Sequence, residues 1–170
     1  KKTKLQRKVL TVAASLVLFL GLGYYITNQV WPSTEVLYNS YVDWNELPSL
    51  TSRESNKSLF SKAETFFYEK NYNAVILTLE SYLLNEVKKP QVFAYLGAAY
   101  LEMGRYKEAI DTFDRLENSE SLDSSKAHWY KSLVYLKQSK KEKALESLKI
   151  LLKDETNYKY KEANELLEKL

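Results

Sequence analysis

Residues recur at a spacing of 34 to 35 through the last two-thirds of this 170-residue chain, and that period narrows the possible folds more than any other feature. Ala63, Gly97 and Ser132 are small residues at this offset; Phe66, Tyr100 and Tyr135 are aromatics; Val75, Ala109 and Ala144 follow, and then Leu79, Phe113 and Leu148. A shared period of this length marks an array in which each unit buries its apolar face on its neighbours. From Ser58 onward there is no β-type alternation of any length, and Lys, Glu, Leu, Ala and Tyr dominate. The repeating unit is therefore predicted to be a helical hairpin, and the domain all-α.

The middle copy is the clearest. Phe93-x-x-Leu96-Gly97-x-x-Tyr100, then Gly104-x-Tyr106, then Ala109-x-x-x-Phe113 resembles the tetratricopeptide repeat (TPR), with Phe93 where the family has Trp. The pattern has a physical basis. Two helices pack closely only where small side chains meet, here Gly97 and Ala109, while Tyr100 and Phe113 fill the space between one hairpin and the next. Pro90 suits a first helical position and Gly104 a helix end. The outer copies depart from the pattern: Lys70 and Ser139 stand where the turn glycine is expected, Val75 is bulkier than alanine, and Lys141 replaces the turn tyrosine. Outer copies of a solenoid are often atypical. The repeats are placed at about 58–88, 90–122 and 124–156, with a capping helix over 158–170 from the stripe Tyr160, Ala163, Leu166, Leu167 and Leu170.

Charge divides the chain elsewhere. The formal +3 hides five Lys or Arg among the first eight residues, which leaves 20 against 22 Asp and Glu in the remainder. Residues 9–26 carry no charge and as a helix would measure about 27 Å, or about 33 Å if continued to Val30, bracketing a bilayer core. Tyr24, Tyr25 and Trp31 fall where such a helix leaves the apolar layer. Residues 9–30 are thus predicted to span a membrane as a retained signal anchor, since no small-residue cleavage site follows. The basic tail 1–8 places the N-terminus in the cytoplasm and the C-terminal domain on the periplasmic or extracellular side of the inner (cell) membrane.

Residues 31–57 read as a juxtamembrane linker with Pro32 and Pro48. Leu37, Tyr41 and Trp44, at i, i+4 and i+7, form one face of a short helix that needs a cover: the following domain, the bilayer or a partner. No chemistry is evident. Cysteine is absent, His128 is the only histidine, no nucleophile elbow or phosphate-cradling glycine loop occurs, and the carboxylate pairs Asp111/Asp114 and Glu165/Glu168 read as solvated faces. The chain is expected to be no enzyme and to bind no cofactor, metal, nucleic acid or small-molecule substrate. The basic run 137–143 falls on a hairpin turn and is interrupted by Glu142.

The TPR resemblance implies a groove lined by the first helix of each hairpin. Carried over by alignment, the lining is Lys57, Phe60, Glu64 and Phe67, then Gln91, Ala94, Ala98 and Leu101, then Lys126, Trp129, Leu133 and Leu136. The family's Lys/Arg/Asn carboxylate clamp is missing, so an apolar or helical segment of a protein partner is the expected ligand, unless the lining is core or is covered in cis by the Leu37/Tyr41/Trp44 face. The resemblance implies a scaffold in an envelope complex. Two alternatives stand beside it: a transmembrane regulator of anti-sigma type, with a module before Lys1, and a translocon-associated accessory chaperone.

Overall fold

The computed structural model describes residues 13–24, 32–51, 57–84 and 89–170. These residues form α1 (13–24), α2 (Thr34–Tyr41), α3 (Lys57–Tyr68), α4 (Tyr72–Leu83), α5 (Pro90–Glu102), α6 (Tyr106–Glu117), α7 (Lys126–Lys137), α8 (Lys141–Leu151) and α9 (Tyr160–Lys169), with short 3₁₀ turns at Trp44–Glu46 and Leu122–Ser125. No strand occurs among the described residues. Helices α3 to α8 pair as three successive hairpins, each packed on the next, and α9 closes the end against α8.

Three turns share one backbone solution. Lys70, Gly104 and Ser139 all adopt the left-handed conformation, at φ 58°, 71° and 56°. In the middle copy the Gly104 N–H donates to the Leu101 carbonyl at 3.0 Å and the Arg105 N–H to the Tyr100 carbonyl at 2.8 Å. The same pair of bonds runs from Lys70 and Asn71 to Phe67 and Phe66, and from Ser139 and Lys140 to Leu136 and Tyr135. This double closure satisfies carbonyls that a helix end leaves orphaned. Asn71 also caps α4, accepting from the Ala74 N–H at 3.3 Å.

Hairpin closure centres on small residues. A Cβ added at Gly97 would lie 2.4 Å from Cε1 of Phe113, so the ring occupies the space a side chain would need. Ala63 and Ser132, at the positions matching Gly97, and Leu79 and Leu148, at those matching Phe113, are all fully buried. Phe113 also lies 5.2 Å from the Tyr130 ring of the third hairpin, so one side chain serves closure and stacking. Tyr100 reaches the preceding hairpin through a hydrogen bond from its hydroxyl to Glu80. Phe93 is buried with the Arg115 guanidinium 4.5 Å from its ring centre.

Helix α1 contrasts with these. Its large apolar side chains, including Leu16, Val17, Leu18, Phe19, Leu20 and Leu22, are all exposed. Residues 9–12 and 25–30 of the predicted span lie outside the described residues, and among the described residues no helix is long and apolar enough to cross a membrane.

The linker departs from a single helical stripe. Leu37 and Tyr41 belong to α2, but the chain turns extended at Val42 and Asp43 before Trp44 opens its 3₁₀ turn. The three side chains reach one surface through that bend. A segment read as a connector contributes Leu37, Tyr38, Leu47 and Leu50 to the core.

Candidate functional site

The inner surface of the array is built by α3, α5 and α7, and the predicted lining residues Phe60, Phe67, Ala94, Ala98, Leu101, Trp129, Leu133 and Leu136 are all buried, with Phe60 packed on Tyr82 of α4 at 4.8 Å. Residues 34–50 lie across this surface, running from the third hairpin back to the first. At the start the Thr34 hydroxyl donates to Ser139 Oγ at 3.1 Å, beside the third turn. Midway, the Tyr41 ring meets Trp129 edge-on at 6.1 Å, and Trp44 lies 6.4 Å from Phe67 and 5.8 Å from Tyr130. The segment ends over α3.

Two carboxylates on the floor hold it. Glu102 Oε1 accepts from the Tyr38 hydroxyl at 2.6 Å and from the Trp44 indole Nε1–H at 2.7 Å. Glu64 Oε1 accepts from the Leu50 backbone N–H at 2.6 Å and the Ser49 hydroxyl at 3.0 Å. Charge-assisted bonds of this kind are stronger than neutral ones, and they satisfy acceptors that the overlying segment would otherwise leave dry. Burial, reinforced by Glu102, pushes the Tyr38 phenol well above its ordinary range, so it stays a donor.

The rim facing the linker is basic. Lys159 Nζ donates to Glu46 Oε1 at 2.6 Å, and the Tyr158 hydroxyl donates to Glu46 Oε2 at 2.8 Å. Burial pulls the Lys159 ammonium down, but its bonds to Glu46 and Glu162 outweigh this and hold it above the usual lysine value. Lys169 donates to the Tyr41 hydroxyl at 2.8 Å and also sits over that ring. Lys137 lies 4.5 Å over the Tyr38 ring and 3.9 Å from Glu35.

Other predicted lining residues have different surroundings. Gln91 donates to Asp123 Oδ2 at 3.1 Å and Lys126 pairs with Asp123 at 2.7 Å, so both tie α5 and α7 to the 3₁₀ turn between hairpins. Lys57 is the first residue of α3. Glu102, Tyr38, Leu47, Leu50 and Lys159 were not among the residues picked out from the sequence. Glu102 was within reach, since it lies at i+4 from Ala98 on the same stripe. Nothing periodic marks Leu47 and Leu50 on either side of Pro48. His128, on α7, faces α6 with its Nε2 3.6 Å from Glu117, and Lys131 is bonded to both Asp114 and Glu117. Among the described residues no group of three or more His, Asp or Glu is placed to hold a metal ion.

The family described as anaphase-promoting complex, cyclosome, subunit 3 matches residues 44–116, less than half of the chain. The matched stretch begins at Trp44 in the linker and ends at Leu116, taking in the first two hairpins. Match and geometry together support a TPR-type family for this chain. TPR-type arrays are generally protein-interaction domains, and the inner surface is where these hairpins present their first helices. No curated protein matches the chain.

Proposed function

We propose that this chain is a membrane-anchored TPR-type scaffold whose hairpin domain stands on the extracytoplasmic side and binds a helical or apolar segment of a protein in an envelope complex. The anchor rests on α1, where Leu16, Val17, Leu18, Phe19, Leu20 and Leu22 are exposed side by side, whereas exposed large apolar residues on the other described helices, such as Tyr68, Leu77 and Ile150, stand singly. An aqueous setting penalises such a surface by roughly 25 cal/mol per Å², and a bilayer removes the penalty. The basic residues at 1–8 and the absence of Lys and Arg from 32–51 favour an N-terminus in the cytoplasm. Binding rather than catalysis follows from the TPR-type array and from the lack of any assembled nucleophile, base or phosphate cradle in the sequence.

A full-length chain with a C-terminal epitope tests this reading. It is expected to resist alkaline carbonate extraction, to expose the epitope to protease only from outside the cytoplasm, and to crosslink an envelope protein from a photoreactive residue at position 137. Extraction into the soluble fraction removes the anchor, and an epitope accessible only from the cytoplasm reverses the topology.

A further inference from the structure

The groove is already occupied, and its occupant shows which chemistry fits. The segment 32–51 holds Glu35, Asp43 and Glu46 and no Lys or Arg. Opposite it stand Lys137, Lys159 and Lys169, each in contact with the segment. Below it Glu64 and Glu102 accept from N–H and O–H donors. At the rim Glu35 meets Lys137, Glu46 meets Lys159 and Tyr41 meets Lys169, while Asp43 accepts from Asn45 of its own turn; over the floor Tyr38 and Trp44 donate to Glu102, and aromatic rings lie against Trp129 and Phe67.

We propose that residues 34–50 act as a displaceable latch on this groove, and that the segment which replaces them is an acidic amphipathic helix of a partner protein carrying a Trp or Tyr donor for Glu102. The proposal rests on the scaffold reading above and adds the ligand class and its regulation. Charge complementarity argues for that occupant, since a basic helix would set like charges against Lys137 and Lys159, and a purely aliphatic one would leave the Glu102 carboxylate without its two donors. Displacement is feasible because α2 has only eight residues, too short to persist as an isolated helix. Its charged contacts also lie at the surface: Glu35 is 73% and Glu46 40% exposed at the side chain. Covalent attachment gives the latch a local concentration of the order of millimolar, so a free segment of equal chemistry competes poorly until the latch is weakened.

The experiment uses full-length chain in neutral detergent and a fluorescent synthetic peptide of residues 32–51 as the probe, read by anisotropy. A Trp44→Ala/Glu46→Lys chain, altered in the latch and unaltered in the groove, is expected to bind the peptide at least tenfold more tightly than the native chain. A peptide with Lys in place of Glu35 and Glu46, the two acidic residues that meet rim lysines, is expected to bind that variant at least tenfold more weakly. Equal affinity for native and variant chains overturns the latch, equal affinity for the two peptides overturns the acidic ligand class, and binding to neither chain overturns both. A native dimer held by exchanged linkers overturns the proposal in favour of a second copy of the chain. If the double variant unfolds, Glu46→Lys alone, which alters a partly exposed side chain, carries the same comparison. Carbonate extraction and epitope accessibility do not depend on the groove and read the anchored arrangement separately, so loss of peptide binding with both retained removes the latch and leaves the anchor and topology.

Discussion

The middle hairpin and its two neighbours reach the same geometry with different residues. In the middle copy Gly97 meets Phe113 and the turn is made by Gly104; in the outer copies buried Ala63 and Ser132 stand at the glycine's position and buried Leu79 and Leu148 at the phenylalanine's, and Lys70 and Ser139 make the turns. What repeats is a volume and a backbone dihedral. A small residue with a large partner can be exchanged for a slightly larger one with a smaller partner, because interiors are packed to constant density. A left-handed turn is likewise held by two backbone hydrogen bonds that any residue can supply, although side chains other than glycine incur strain there.

Gly97→Ala has the largest expected effect on the middle hairpin. With the added Cβ placed 2.4 Å from Phe113, the variant is expected to lose about 3 kcal/mol of stability, measured from the urea midpoint. Phe113→Leu in the same chain converts the middle copy to the outer pattern and is expected to recover at least half of that loss, a coupling that a double-mutant cycle reads directly. Recovery of nothing would mean that Gly97 serves a purpose other than accommodating the ring.

Turn substitutions have smaller effects and opposite signs. Gly104→Ala places a side chain at φ 71° and is expected to cost about 1 kcal/mol. Lys70→Gly and Ser139→Gly relieve the same strain, offset in part by the greater freedom of glycine in the unfolded chain, and are each expected to stabilise by about 0.5 kcal/mol. Midpoints that fall for both outer variants would show that their side chains contribute more than the backbone conformation costs.

The smallest effect concerns the seam between the middle and third hairpins. Burial lowers the His128 pKa below its ordinary value despite Glu117, with Lys131 and Lys153 acting in the same direction as burial. The unfolded chain therefore takes up the proton first as pH falls through the mid-6 range. Stability gained above that range is lost progressively toward the lower folded value, by less than about 1.4 kcal/mol per pH unit. His128→Gln is expected to flatten this slope between pH 7 and 5, and an unchanged slope would assign it to carboxylates.

Much of this molecule was legible before any coordinates. The 34–35-residue offset places the six paired helices, and Pro90 and Gly104 mark the start and end of α5, because helical period, proline and glycine act locally. Lys70 and Ser139 were recognised as departures, but their left-handed backbone was not, since nothing in a lysine or a serine announces φ near +57°. Helical spacing also marks most of the inner surface. It missed Glu102, whose charge suggests solvent until a Tyr and a Trp donor are seen above it.

The sequence alone determined that this chain forms helical hairpins, that they stack, and that its charge is concentrated in a basic tail ahead of an apolar run. Period and pattern follow from the spacing of residues along one helix and need no long-range contact to be read. What covers the groove depends on long-range contacts. Tyr38 and Trp44 meet Glu102 across separations of 64 and 58 residues, and Tyr41 meets Lys169 across 128. Such pairings depend on where three hairpins bring the chain together, and a linker without a repeat carries no local sign of the surface it will join.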